Sequence, residues 1–369
     1  MRIGIDATGL GGPKTGTAVY VAEILSAWNR DRTIDHNFVV FASPKALEHL
    51  STLNLDRRFR FIKAPDNRYV RTLWQQSVMA WKVEKLKVDV HWGSAFVIPL
   101  LSTRPMVVTV HDLTFLLFPS VHEWIKRYYF PAIIRAAVNK ARYVLAVSES
   151  TRNDLHRLLP ASRGKTVVTL LAARGLPADR PRALTQDHVN NRGDHYVLFV
   201  GTVEPRKNLE RLIAAWRSVA PRDKGDTQLV IVGATGWLVD NMFSRFSSED
   251  AIEFKGFVGD DDLAGLMRRA MALVYPSLYE GFGLPVLEAM ALGIPVLTSN
   301  IGATRELADG AALLVDPSSI PSIREGLSRL LKDEVLRRQL SQSGFERAAF
   351  FSWERTAAET LAAIERAAV

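Results

Sequence analysis

"ALVYPSLYEGFGLPVLEAMALGIPVLTSN", Ala272 to Asn300, runs from an apolar strand through a glycine-rich turn into a short helix, then through Gly293 into a second strand. Pro285 suits the first helical turn, where a missing N–H costs nothing, and Gly293 suits the C-terminal stop. The same alternation extends in both directions. After this stretch comes AALLV (311–315); before it stand YVLFV (196–200) and QLVIV (228–232), and earlier still RIGID (2–6), FVVFA (38–42), VDVH (88–91), MVVTV (106–110), YVLAV (143–147) and TVVTL (166–170). Short apolar runs separated by helical patterns predict an α/β protein of parallel sheets with helices on both faces.

The alternation pauses once. Ala172 to His195, "AARGLPADRPRALTQDHVNNRGDH", is poor in apolar residues and rich in Pro, Arg, Asn and Asp, so it reads as an interdomain linker. The organisation expected is a first doubly wound domain over 1–175, a linker over 176–195, a second doubly wound domain over 196–350 and a closing helix over 351–369, with Ser352 as its N-cap. At 369 residues and 47 % apolar content the chain has enough material for two cores.

Composition narrows the function. The absence of cysteine excludes disulfides, thiolate metal sites and cysteine nucleophiles, and it suits a reducing, cytoplasmic setting. No run approaches the roughly 18 apolar residues of a spanning helix, and the opening MRIGIDATGL lacks a basic-then-apolar leader pattern. Neither a membrane span nor an exported chain is expected. The formal charge of +8 suits an acidic partner, either an anionic membrane surface or a phosphorylated small molecule. Nucleic acid is not expected, since zinc-ligand spacings, RNP-like strings and basic regions leading into heptads are missing.

The candidate site begins in the opening stretch. The N–H groups of Gly281, Phe282, Gly283 and Leu284 lie at a helix mouth, where the dipole favours an anion. Glu280 precedes that turn and Glu288 follows in the helix; ionised carboxylates are pure acceptors, suited to paired sugar hydroxyls. A second strand-to-helix junction, "LFVGTVEPRKNLERLIAAW" (198–216), places Arg206 and Lys207 at the carboxyl edge of a sheet, where open α/β sheets bind ligands. Two fixed cations there would neutralise a diphosphate and stabilise the charge that grows on it as it leaves. Leu209, Leu212, Ile213 and Trp216 form the buried stripe of the helix that follows.

The E-x7-E spacing inside "EGFGLPVLEAMALGIPV" resembles the signature of the retaining glycosyltransferases of family 4, and the likeness extends over most of the chain. It implies the GT-B fold, two Rossmann-like domains facing across a cleft, with the C-terminal helix crossing back to the first domain. It also implies that Glu280 lies against the transferred sugar and Glu288 holds the nucleotide's ribose. Lys207 matches the family within an intact "EPRKN"; Thr202 stands where many members have Arg, which makes Arg206 the second cation. The segment Gly256-Phe257-Val258 would line the nucleobase slot, with Val258 as the contact, whereas Asp260 to Asp262 would cap the next helix. His111, in "VVTVHDLTF", matches the family's His that touches the donor sugar, and Asp112 either orients its ring or pairs locally.

The implied reaction moves a hexosyl group from a nucleoside-diphosphate sugar to an acceptor hydroxyl with retention, the leaving diphosphate taking the acceptor's proton. No cofactor beyond the donor is implied. No Asp-x-Asp stands where a metal-bridged diphosphate needs it, so metal independence is expected. The head RIGIDATGL with GTVEPRKNL looks like the bacterial mannosyl- and rhamnosyltransferases of polysaccharide assembly. Many of those use GDP-mannose or a related GDP-sugar, and a UDP-sugar donor or a GT-B nucleotide-sugar epimerase are the alternatives. The acceptor, a saccharide or polyprenyl-linked saccharide, should come from the first domain. There "RRFRFIKAPDNRYVRTLWQQ" (57–76) and "HEWIKRYYFPAIIRAAVNKAR" (122–142) interleave bases with aromatics, as segments lying on the inner face of an anionic membrane do. Finally, "GLGGPKTGTAVY" (9–20) is neither a Walker A loop nor a dinucleotide fingerprint, because Lys14 precedes Gly16 and takes the place of a third glycine. Gly11, Gly12 and Gly16 would give this turn close backbone approach to the donor's diphosphate.

Overall fold

The computed structural model describes residues 1–11, 16–119, 124–174, 195–234 and 251–369, the side chains of residues 68 and 124–128 excepted. The chain divides into two compact units, Met1–Leu171 with Ser352–Val369, and Ala172–Phe351. All of the expected linker except His195 lies outside the described residues.

The first unit holds the strands β1 (Arg2–Asp6), β2 (Asn37–Ala42), β3 (Phe59–Lys63), β4 (Val90–Gly93), β5 (Met106–Val110), β6 (Tyr143–Ala146) and β7 (Thr166–Val168). They form one parallel sheet in the order β3-β2-β1-β4-β5-β6-β7. Strands β1, β2, β4 and β5 are apolar on both faces because helices cover both, and their residues are almost entirely buried. The edge strand β3, FRFIK, interrupts its apolar residues with bases, and that pattern hid it inside a segment expected only as a basic, aromatic surface. An edge has a single strand neighbour and tolerates charge, so the continuous apolar signature does not apply to it.

The second unit holds β8 (Tyr196–Val200), β9 (Gln228–Val232), β10 (Ile252–Gly256), β11 (Ala272–Tyr275), β12 (Val296–Ser299) and β13 (Leu313–Val315). The order β10-β9-β8-β11-β12-β13, again parallel, puts β8 and β11 side by side at the centre, where the strand order reverses. At such a switch point the loops leaving the two strands diverge and leave room for a ligand. The edge strand β10, IEFKG, was missed for the same reason as β3. Both units follow the doubly wound α/β plan.

The closing helix, Trp353–Ala368, starts at Ser352, whose side chain accepts from the Arg355 N–H at 3.2 Å. It belongs to the first unit, packing on the helix Gly16–Arg30 and on β4, β5 and β6. The Trp28 indole N–H donates to the Ala357 carbonyl at 3.0 Å, and the Arg142 guanidinium donates to the Ala367 carbonyl at 2.8 Å. Trp28 in turn stacks on Phe38 of β2 with ring centroids 5.2 Å apart, so the returning helix closes over a side chain of the first unit's core.

Candidate active site

Two loops leave the carboxyl ends of the neighbouring strands β8 and β11. The first passes Gly201 and Glu204, makes one 3₁₀ turn at Pro205–Lys207, and enters the helix Leu209–Ser218 through Asn208. Asn208 adopts a left-handed backbone, φ 63°, and its side-chain amide donates to the Pro276 carbonyl at 2.9 Å and the Pro317 carbonyl at 2.7 Å. The second loop, residues 276–283, is stitched to the first by the Leu278 N–H donating to the Arg206 carbonyl at 2.8 Å. Gly233, at the end of β9, completes the frame. A Cβ there would sit 1.9 Å from the Gly201 carbonyl oxygen, so only glycine lets the two backbones approach this closely. The expected stripe Leu209, Leu212, Ile213 and Trp216 is buried beneath the first loop; at roughly 1.5–3 kcal/mol per fully buried apolar side chain, it anchors that loop's helix.

This frame brings together Arg206, Lys207 and Glu280. The Lys207 ammonium donates to Glu280 Oε1 at 2.7 Å and to the Tyr275 hydroxyl, and the Arg206 guanidinium donates to Glu280 Oε2 at 2.8 Å. Arg206 also pairs with Glu204 at 2.6 Å. The two cations expected to neutralise a diphosphate thus share one carboxylate, Glu280. All four charged side chains are largely buried; Arg206, the most exposed, keeps 19 % of its side chain accessible. Burial pushes the Glu280 carboxyl up, but Arg206 and Lys207 outweigh it and hold the group down at about 2. Glu280 therefore stays ionised throughout the neutral range and is no proton donor. Burial, then the neighbouring Arg206 charge, pulls the Lys207 ammonium down from its ordinary value, while Glu280 and Glu204 oppose the fall. The Tyr275 hydroxyl is raised by burial first and by Glu280 second, so it remains protonated.

Glu288 sits apart from this cluster, in the helix Leu284–Ala291, and is almost wholly buried. Arg174 Nε donates to its Oε1 at 2.5 Å, Nη2 donates to its Oε2 at 3.2 Å, and Nη1 donates to Asp260 Oδ1 at 3.1 Å. Burial raises the Glu288 carboxyl and Arg174 opposes the rise. The glycine turn before this helix adopts the expected start: Gly283 is the N-cap with φ 108°, and Pro285 lies in the first turn. The helix ends with Gly293 in a left-handed backbone, φ 65°. Phe282 turns inward against Phe351, ring centroids 5.9 Å apart, with Gly281 before it and Leu284 opening the helix two residues on. Val258 follows β10 and precedes Gly259, the N-cap of the helix Asp260–Arg269. That corrects the expectation that Asp260 to Asp262 supply a side-chain cap. Gly259 caps without a side chain, the three carboxylates occupy the first turn, where the helix dipole favours them, and Asp260 turns to Arg174.

In the first unit, His111 follows β5. Its Nε2–H donates to the Ser94 carbonyl at 2.8 Å, and its ring meets Tyr20 edge-on at 4.9 Å. Burial lowers its pKa; the Ser94 carbonyl and Asp112 oppose the fall. With Nε2 donating, the neutral ring keeps Nδ1 as an acceptor. Asp112 pairs locally, accepting from the Thr114 N–H at 3.0 Å and the Thr114 hydroxyl at 2.6 Å. Gly11 ends the 3₁₀ turn Thr8–Gly11 and Gly16 begins the helix Gly16–Arg30; Gly12 lies outside the described residues. Behind that turn is a constellation that sequence reasoning missed: Asp6 accepts from the Thr8 N–H at 2.9 Å and from the Gln75 amide at 2.6 Å.

Two family models account for most of the chain: "Glycosyl transferases group 1" matches residues 182–347, and "Glycosyltransferase Family 4" matches residues 14–169. O-antigen chain mannosyltransferase B of Escherichia coli is 32 % identical over 290 residues, covering 76 % of this chain and 75 % of that protein. The serotype-specific mannosyltransferase WbdA of Escherichia coli is 26 % identical over 354 residues; the match covers 89 % of this chain but 41 % of that longer protein. Among solved structures, sucrose-phosphate synthase from Thermosynechococcus elongatus superposes with a TM-score of 0.75 at 20 % identity, over 99 % of this chain and 98 % of that one. This likeness shows the GT-B fold.

Proposed function

The chain belongs to the glycosyltransferases of group 1 and family 4, and from that premise we propose that it transfers a mannosyl group from GDP-mannose, or a related GDP-hexose such as GDP-rhamnose, to a lipid-linked saccharide with retention at the anomeric carbon. The product would enter a bacterial surface polysaccharide. The observation that carries the reading is the Arg206–Glu280–Lys207 cluster at the reversal of strand order. Fixed charges of both signs, largely withdrawn from water, suit a transition state in which the sugar gains positive charge and the departing diphosphate negative charge. In the proposed step the bond from C1 to the phosphate oxygen breaks and the acceptor oxygen bonds to C1 on the same face. The acceptor's proton passes to the phosphate oxygen. Arg206 and Lys207 steady the diphosphate, ionised Glu280 faces the sugar, Glu288 holds the ribose, and the backbone of Gly281 to Leu284 lies toward the phosphates. His111 accepts a sugar hydroxyl through Nδ1. Mannose is taken from the relatives, which are mannosyltransferases by name.

A membrane-borne acceptor has support in the first unit. The helix Arg68–Trp74, a π turn and the helix Ala80–Lys85 form one run whose outer side exposes Tyr69, Val70, Leu73 and Trp81 beside Lys82 and Lys85. Apolar and aromatic side chains interleaved with bases suit the inner, anionic face of a cell membrane, with the protein peripheral to it. Among the described residues no helix is long and apolar enough to cross a membrane. His122 and Glu123, from the second segment expected to serve this purpose, lie outside the described residues.

The test is incubation with labelled GDP-mannose, with and without a polyprenyl-linked saccharide, followed by NMR of the product. An α-linked product formed only with acceptor is expected. Free sugar or an epimer released without acceptor overturns the transferase step, and turnover confined to UDP-sugars overturns the donor.

A further inference from the structure

Glu288 has 2 % of its side chain exposed, whereas Arg174, which forks onto both its oxygens, has 20 % exposed. The guanidinium is therefore the outer layer and the carboxylate the inner one. A ribose that is to reach Glu288 meets Arg174 first. The fork presents two N–H donors side by side to two oxygens, the same pattern that the adjacent 2′ and 3′ hydroxyls of a ribose present to a carboxylate. Arg174 also has a second partner at hand, because Nη1 already donates to Asp260 at 3.1 Å.

We propose that Arg174 occupies the place of the donor's ribose, and that the two ribose hydroxyls exchange with it on Glu288 while the guanidinium stays paired to Asp260. The inference rests on the reading that Glu288 holds the ribose. Arg174 then sets donor affinity as a built-in competitor, since a ligand shifts this equilibrium only by what it gains over the contact it replaces. A nucleotide with both hydroxyls replaces both guanidinium bonds and releases the arginine. One lacking them leaves the ion pair in place and binds without Glu288. Breaking a buried ion pair by deleting one partner strands the other charge. In an R174Q variant the stranded carboxylate therefore gains more from ribose hydroxyls than the paired one does.

The test is calorimetric titration of wild type, R174Q and R174K with GDP and UDP, each beside its 2′,3′-dideoxy form, with melting curves confirming the folded state. The milder R174K keeps a charge but not the fork, so it supplies the answer if R174Q does not fold. In the variants the ribonucleotide is expected to bind about tenfold tighter than in wild type, as removal of a charge-assisted competitor implies, with the dideoxy form unchanged. Ribonucleotide binding that is unchanged or weaker in both variants overturns the exchange and makes Arg174 a brace for Glu288. Parallel changes for ribo and dideoxy forms overturn it as well. Equal affinity for the two forms in wild type and in both variants points elsewhere: it removes the ribose from Glu288 and with it the premise.

Discussion

Replacing Glu280 by Gln keeps the side chain's volume and one acceptor oxygen, and it removes the charge that Arg206 and Lys207 share. Burial alone would raise this carboxyl, yet it is held down from 4.5 to about 2, and the shift corresponds to roughly 3 kcal/mol favouring the ionised, folded form. The variant leaves Lys207 buried with the Arg206 charge beside it and no carboxylate of its own. For a unit of this size a loss of that order lowers the melting transition by about 6 to 12 °C. Because the folded pKa is depressed, the contribution is complete above the unfolded value of 4.5 and is lost as pH falls towards 2. Calorimetric melting of wild type and E280Q at pH 7, 5 and 3.5 should therefore show a wide gap at the first two values and a narrower one at the last. Nucleoside diphosphate binding should survive in E280Q, while turnover with the sugar donor falls about a hundredfold or more for want of the charge facing the sugar. A variant that melts with wild type at pH 7, or whose deficit does not depend on pH, refutes the electrostatic account. Wild-type turnover refutes the placement of Glu280 against the sugar.

Two further outcomes follow from the frame. G233A forces a methyl group to within 1.9 Å of the Gly201 carbonyl oxygen and 2.6 Å of its carbon, both of them backbone atoms. The clash is expected to cost about 3 kcal/mol or more in denaturant unfolding and to weaken nucleotide binding through the displaced 201–208 loop; unaltered stability would show that the close approach is not needed. In the first unit, both ring nitrogens of His91 are buried without a partner among the described residues, and burial pushes the ring down to about 3. H91L should stabilise the protein by about 1 to 2 kcal/mol at pH 7. It should also flatten the stability loss that wild type suffers as pH falls from 6.5 towards 3, where the unfolded chain takes a proton that the folded ring refuses. Identical stability and identical acid slopes in the two proteins would exclude any cost from this ring.

What the sequence made legible was local. Strands buried on both faces, such as YVLFV and MVVTV, announce themselves by unbroken apolarity, whereas FRFIK and IEFKG carry charges on exposed edge positions and do not. The pieces EPRKN and EGFGLPVLE were equally visible, each being a strand-to-helix junction with its own chemistry. Their union was not visible from spacing: Lys207 and Glu280 stand 73 residues apart and meet because β8 and β11 are neighbours, a property of strand order. Asn208 was within a quoted motif, yet its left-handed backbone and its two proline carbonyl partners depend on loops 68 and 109 residues away. Arg174 lies inside a stretch whose composition reads as linker, and only folding carries it to Glu288. Asp260 looked like a cap because acids favour helix starts; it keeps its place in the first turn, but Gly259 holds the cap position and the Asp260 side chain pairs with Arg174.

The return of the helix Trp353–Ala368 to the first unit makes that unit discontinuous in the chain, while the second is a single stretch. Synthesis runs from the N-terminus, so residues 172–351 are complete before the helix that roofs Trp28 and the neighbouring face of the helix Gly16–Arg30 has been made. Until that helix docks, residues 1–171 keep part of their apolar surface uncovered, however early they were made. The unit that begins the chain is therefore closed by the chain's last helix, and its completion waits for the end of synthesis.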